Sequence, residues 1–293
     1  MMLDVSASPD GIRILRSPTA EEKEASRLTK EEWREYTKTV WSIANTTDPD
    51  HPAVFPPEIP RRVIKMFSFV EDLVLDPFAG IGTSAHVALE LGRRAVAVEQ
   101  NPGFASRIRR EHDDAVARRD LEVHVGDCRD LSFLDDSSVG LIVTSPPYWN
   151  KAEYGGNGCN LGNVAGYREF LRSMKPAFEE FVRVLEPGRK LVVITANVNQ
   201  FTDHGLLTFP LAADMLSLMR DVGLVIVGEV IWNKDGTGGR WGSSGAQRPI
   251  FGSYPFPPNL LFKTVHEHIL IAATPPARRV RNPRALPYEE LMA

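Results

Sequence analysis

The chain has 293 residues, 43% of them hydrophobic and 25% charged, ordinary for a globular domain and ample for one large core. A formal net charge of −4 argues against a protein that grips polyanions with its whole surface, and no run approaches the roughly 18 apolar residues of a membrane span. Cys128 and Cys159, the only cysteines, stand outside any metal-ligand spacing, and the first residues lack the basic and apolar regions of a signal peptide; a reducing cytoplasm without metal or disulfides is expected.

Residues 1–27 are polar and are expected to form a flexible N-terminal segment. Thr29-Lys-Glu-Glu32 has the form of a capping box, and Trp33, Val40 and Trp41 continue it at helical spacing. A proline-rich loop over 46–60 and a short helix from Arg61 to Phe67 follow. From residue 72 strands and helices alternate: strand 73–76, a glycine turn into a helix, strand 95–99, a charged helix, strand 122–127 and strand 140–144. Residues 167–185 carry Tyr167, Phe170, Met174, Phe178 and Phe181 on one helical side, and Pro187-Gly188 then turns into strand 191–195. Residues 206–222 read as a helix, with strands at 224–232 and 263–273. This alternation predicts an α/β fold with a doubly wound, mainly parallel sheet. Between the last two strands, the glycine-rich stretch 233–259 holds Trp241, Phe251, Tyr254 and Phe256, aromatics that want a surface to pack on.

Open α/β sheets bind ligands beyond the carboxyl ends of their strands. Three strand ends here carry polar or glycine-rich sequence. After strand 73–76 comes Asp76-Pro77-Phe78-Ala79-Gly80-Ile81-Gly82-Thr83, whose glycines permit close backbone approach ahead of a helix N-terminus with unpaired N–H donors. Glu99, 19 residues after Gly80, suits a carboxylate accepting from both ribose hydroxyls. Asp127, in Gly126-Asp127-Cys128, can accept from an adenine amino group. Each signal alone is weak; the three at consecutive strand ends indicate an adenosine-type ligand.

The next strand ends abruptly in Thr144-Ser145-Pro146-Pro147-Tyr148-Trp149-Asn150. Together, LVLDPFAGIGTS and TSPPYWN resemble the S-adenosylmethionine-dependent amino-methyltransferases of DNA, and the likeness extends over most of residues 28–273. It implies a class I, Rossmann-like methyltransferase fold with S-adenosyl-L-methionine as cofactor. One domain then spans 28–275, with a cofactor half (28–130), a catalytic half (139–232) and a DNA-recognition loop (233–262), ahead of a basic tail (276–293). The cofactor half comes first, so the chain resembles a circular permutation of the family's commoner order. The resemblance also puts Phe55 in the cofactor-pocket segment and makes Ser145, Pro146, Pro147 and Tyr148 the catalytic loop.

An exocyclic amine on cytosine or adenine is a poor nucleophile because its lone pair is delocalised into the ring. Accepting hydrogen bonds from both amine protons, at the Ser145 side chain and the Pro146 carbonyl, localises that lone pair, while Tyr148 stacks on a base rotated out of the duplex. Carbon-5 methylation of cytosine needs a Pro-Cys pair that is missing here; Cys128 reads as a small buried residue beside the cofactor. In the family that the chain resembles, serine at the motif's first position goes mostly with cytosine N4, so the resemblance implies cytosine N4, with adenine N6 as the alternative, and RNA, a protein amide or a silent binding role as further ones. The partner implied is double-stranded DNA, contacted by Trp149, Asn150 and Lys151 and by Lys234, Arg240, Trp241 and Arg248, with a companion restriction endonuclease possible for such an enzyme. His266 and His268 share a strand face and are expected to be structural.

Overall fold

Residues 17–49, 54–151, 160–236, 256–258, 261–262, 264–276 and 286–292 are described by the computed structural model. Arg240, Trp241, Arg248, Cys159 and the arginines of the basic tail lie outside them. Eight strands form one sheet in the order β1-β9-β10-β6-β5-β2-β3-β4, with a separate hairpin of β7 and β8. The strands are β1 (Val40–Ser42), β2 (Leu73–Asp76), β3 (Arg94–Glu99), β4 (Leu121–Val125), β5 (Val139–Thr144), β6 (Leu185–Thr195), β7 (Val198–Thr202), β8 (Gly205–Phe209), β9 (Val225–Asn233) and β10 (His266–Ala273). All neighbours in the large sheet pair in parallel except β10, which runs antiparallel to both β6 and β9. The doubly wound, mainly parallel α/β sheet expected from the alternation is the one observed.

Period-two alternation along the strands builds two cores, one on each face. On β5, where all six residues are buried, Leu141 and Val143 face one core and Ile142 the other. The first core joins the sheet to helices α7 (Tyr167–Val184) and α8 (Leu211–Asp221) through Phe170, Met174, Phe178 and Met215. The second joins it to α3 (Glu58–Phe67), α4 (Thr83–Glu90), α5 (Pro102–Glu111) and α6 (Asp113–Arg118) through Ile59, Val63, Val87, Ile108 and Ala115. The order of strands reverses between β2 and β5: β3 and β4 lie to one side of β2, β5 and β6 to the other. That switch point opens a crevice at the carboxyl ends of β2 and β5.

Four readings are corrected. Helix α2 (Lys30–Tyr36) begins with the expected capping box, Thr29 with Glu32, but stops before Val40. Residues Val40–Ser42 instead add an edge strand to β9, because the Trp41 and Trp232 side chains are both worth burying: Trp41 Nε1–H donates to the Tyr36 carbonyl (3.2 Å) and Trp232 Nε1–H to that of Ile43 (2.8 Å). The segment read as loose contains α1 (Ala20–Ala25), with its own capping box of Thr19 and Glu22. Residues 206–209 belong to the β7–β8 hairpin rather than to α8. Leu185 to Arg189, including the Pro187-Gly188 turn, belong to a strand that breaks register and resumes pairing at Lys190. Among the described residues no helix is long and apolar enough to cross a membrane.

Candidate active site

At the switch point lies a cavity of about 670 Å³, within the range of small-molecule sites. Its wall brings together the glycine turn after β2, Glu99 after β3, Cys128 after β4 and the Ser-Pro-Pro-Tyr loop after β5. Four sequence signals about seventy residues apart at their extremes thus meet because parallel strands all point their carboxyl ends the same way.

The turn is shaped for close approach. Gly80 and Gly82 have φ of +53° and +87°, left-handed values that glycine adopts at no steric cost. A Cβ on Gly82 would come within 2.9 Å of Ile108 Cγ1, so this glycine also lets α4 start against α5. The Gly80 N–H donates to Glu99 Oε2 (2.8 Å) and the Asn101 N–H to Glu99 Oε1 (2.8 Å), which fixes the carboxylate at the cavity wall. A carboxylate has about four acceptor positions, so capacity for further hydroxyl donors remains. Burial pushes the Glu99 carboxyl above its usual range, and the charge of Asp76 adds to this, against the backbone N–H groups of Asn101 and Gly80.

Phe55, Pro77, Phe78, Gly80 and Thr83 line the cavity with Glu99 and Cys128, whereas Asp76, Gly82 and Asp127 stand behind its wall. Asp76 is 2% exposed; its Oδ1 accepts from Thr144 Oγ1 (2.7 Å) and from the Phe78 N–H (3.1 Å), tying the end of β2 to the end of β5. Burial pushes its carboxyl up to about 6, against the Thr144 hydrogen bond. Asp127 is not presented to the cavity as an open acceptor. The Arg129 guanidinium grips both its oxygens, with Nε at 2.9 and 3.1 Å and Nη2 at 2.5 Å. Burial raises the Asp127 carboxyl, and the Arg129 hydrogen bonds more than reverse this, leaving it lowered. Cys128 is 3% exposed and burial drives its thiol well above the ordinary range, so no thiolate nucleophile is available there.

On the other side, Ser145, Pro146, Pro147 and Tyr148 all line the cavity. The Ser145 hydroxyl lies 3.2 Å from the Ile194 carbonyl and 3.3 Å from Tyr148 Oη, and the Tyr148 hydroxyl donates to Glu267 Oε2 (2.8 Å). Glu267 is in turn paired with Lys234, whose ammonium sits 4.4 Å from the Trp232 ring centroid. Lys234, read as a DNA contact, is therefore engaged within the wall of the cavity. Trp149 is corrected outright: it is 5% exposed, donates Nε1–H to the carbonyls of Val164 (3.0 Å) and Ala165 (3.2 Å), and packs on Tyr167 and Phe209. Asn150 is exposed, and the Lys151 ammonium reaches Gln200 Oε1 (3.2 Å) on the hairpin.

Two contributions, one from each of two strands, escaped the sequence reading. Asn45 to Asp48 line the cavity because β1 runs parallel to β9 and delivers the residues after it to the same end of the sheet. Asp48 is held there by Arg107 at 3.1 and 3.0 Å. His266 and Glu267 reach the cavity from the amino end of β10, since an antiparallel strand presents its start where its neighbours finish. His268, on the same face, bonds Glu229 Oε1 through Nδ1 (2.5 Å).

Comparison with known proteins follows the same lines. A Type II methyltransferase from Methanocaldococcus jannaschii, M.MjaI, is 43% identical over 81 residues, 26% of this chain and 26% of that protein. Another from Bacillus subtilis, M.BglI, is 37% identical over 81 residues, 27% of this chain and 23% of that one. The matched stretches thus span about a quarter of the length of these relatives. A candidate DNA modification methylase from Thermus thermophilus, solved with S-adenosyl-L-methionine, is 28% identical over 57% of this chain and 60% of its own, with a TM-score of 0.38. The N6/N4 family model for DNA methylases matches residues 9–110 and 139–291. The cofactor of that family is S-adenosyl-L-methionine. The residues present fit it: a glycine turn open to a ligand, a wall-mounted carboxylate with acceptor capacity to spare, and an aromatic lining from Phe55, Phe78 and Phe104. With more than half of its length matched, and with the turn and the Ser-Pro-Pro-Tyr loop on one cavity, this chain belongs to the N6/N4 DNA methylase family.

Proposed function

We propose that the chain methylates the exocyclic N4 of a cytosine flipped out of duplex DNA at a specific sequence, using S-adenosyl-L-methionine. The observation that carries this reading is the meeting of the glycine turn, Glu99 and the Ser145-to-Tyr148 loop on a single cavity large enough for a nucleoside-sized cofactor beside a base. In the proposed complex, Gly80 and Gly82 let the backbone close on the methionine part, and Glu99 accepts from the ribose hydroxyls. When bound, the cofactor supplies a methyl group on a sulfonium, with no metal needed for the transfer. The chain's own contribution is to hold the amine. Ser145 Oγ and the Pro146 carbonyl accept hydrogen bonds from its two N–H groups, the proline ring keeping the backbone rigid and free of a competing donor. Tyr148 covers the face of the base, offsetting the few kcal/mol of unstacking. The buried, proton-holding thiol of Cys128 supports amine chemistry over a carbon-5 route.

Cytosine rather than adenine rests on serine at the first position of the loop. Adenine N6 keeps the same mechanism and is an outcome of the test. The order of the halves is read as a circular permutation, supported by β1, which extends the sheet beside β9 from the chain's early residues. DNA is proposed to approach along the Asn150–Lys151 side and the 233–262 stretch. The test is nucleoside mass spectrometry of mixed-sequence duplex DNA incubated with the chain and S-adenosyl-L-methionine. N4-methylcytosine is expected; N6-methyladenine overturns the choice of base, and neither product overturns the substrate.

A further inference from the structure

A serine hydroxyl is an ambiguous partner for an amine. Unlike a carboxylate, it carries a proton of its own, and it receives an N–H only if that proton is committed elsewhere. The surroundings of Ser145 commit it. Its two neighbours are the Ile194 carbonyl at 3.2 Å, which can only accept, and Tyr148 Oη at 3.3 Å. Whether the tyrosine accepts or donates depends on where its own proton goes, and that is decided 2.8 Å away by Glu267 Oε2. An ionised carboxylate is acceptor-only, so the phenol donates to Glu267 and offers its oxygen lone pair to Ser145. Lys234 is paired with the other Glu267 oxygen, and the Glu267 side chain is only 13% exposed, so the carboxylate is held in place between Lys234 and Tyr148.

We propose that Glu267 is a positioning residue that fixes the direction of this chain of hydrogen bonds, turning Ser145 from an ambiguous hydroxyl into an acceptor for the amine of the target base. This rests on the reading that Ser145 receives an amine proton. Glu267 itself acts through Tyr148. No proton is transferred in this role: each hydrogen bond keeps its donor, and only orientation is set. A glutamine at 267 has an amide N–H₂ that can donate to Tyr148 Oη. The phenol then turns its proton onto Ser145 Oγ and occupies one of its two lone pairs, in competition with the amine.

The experiment has a kinetic arm and a DNA-independent arm. In single-turnover methylation of duplex DNA, Glu267→Gln is expected to lower the rate constant about tenfold to a hundredfold, the factor that goes with one misdirected hydrogen bond to a charged group, with KM for DNA and cofactor affinity nearly unchanged. Glu267→Asp restores part of the rate. In a Tyr148→Phe background, which severs the chain but keeps the ring, Glu267→Gln is expected to add no further loss. Independent losses in the double variant, or an unchanged rate in Glu267→Gln, overturn the proposal. The second arm titrates Tyr148 as the ultraviolet difference between each protein and its Tyr148→Phe counterpart. Replacing the acceptor carboxylate lowers the pH at which Tyr148 ionises; no change means the phenol does not donate to Glu267. If the unsubstituted chain methylates no DNA, the functional reading fails, while the phenol titration still decides whether Tyr148 is coupled to Glu267. Cofactor binding and circular dichroism of each variant separate a folding defect, and Lys234→Met paired with Glu267→Gln removes the ammonium that Glu267 had faced.

Discussion

Asp76 provides the sharpest stability test, because its carboxylate is deeply buried and its replacement can preserve both hydrogen bonds. Thr144 Oγ1 and the Phe78 N–H converge on the same oxygen, Oδ1, so in Asp76→Asn the amide oxygen can take that place. What changes is the charge. Burial moves the carboxyl from an ordinary 3.8 to about 6. The native state therefore holds the proton more tightly than the unfolded chain does. Stability from this group is fully present below about pH 3.8 and is lost as pH rises through about 6. A difference of about 2.2 in pKa, at ~1.4 kcal/mol each, corresponds to about 3 kcal/mol as an order of magnitude. Asparagine has no proton to lose. The stability of Asp76→Asn relative to the parent chain should thus rise by about 2 kcal/mol between about pH 4 and pH 7.5, most of that total, other carboxylates cancelling in the difference. Urea unfolding of both proteins across that range measures it. A difference that stays flat within ~0.5 kcal/mol would refute the reasoning, because it would mean the ionised carboxylate at the strand end is solvated.

Three further outcomes are expected. Gly82→Ala places a side chain at φ +87° with its Cβ 2.9 Å from Ile108 Cγ1, which should cost about 2–4 kcal/mol in urea unfolding and be partly relieved by Ile108→Val. Trp149→Ala removes a 5% exposed indole and its two carbonyl partners and should cost about 3–5 kcal/mol; a cost under ~1 kcal/mol would return Trp149 to the surface. With Cys159→Ser leaving a single thiol, Cys128 should react with a disulfide reagent only as fast as the protein opens, since burial both shields the sulfur and holds its proton. Reaction at the rate of a free thiol would contradict that burial.

The alternation of apolar strands and amphipathic helices was enough to define the sheet class, because a strand with all six residues buried, such as Val139–Thr144, needs helices on both faces. The glycine turn, Glu99 and Ser145-Pro146-Pro147-Tyr148 were legible for the same reason: in a parallel sheet a strand's end in sequence is also its place in space. Local signals failed where two outcomes shared one pattern. Trp33, Val40 and Trp41 suit a long helix, yet pairing with Ile231–Asn233 and burial of two tryptophans won. Trp149, beside the Ser-Pro-Pro-Tyr loop, was read as a DNA contact, yet it packs against Tyr167 and Phe209.

Only the tertiary structure could decide which side chains are already occupied by partners, near or far along the chain. Asp127 was a free acceptor in sequence and is claimed by Arg129. Glu267 stood near the start of a strand, the end that ligands ordinarily avoid, and came to Tyr148 because β10, alone within the eight-stranded sheet, runs against its neighbours. Strand direction is set by pairing along the whole edge of β6 and β9, an energy spread over many residues, and no short stretch of sequence carries it.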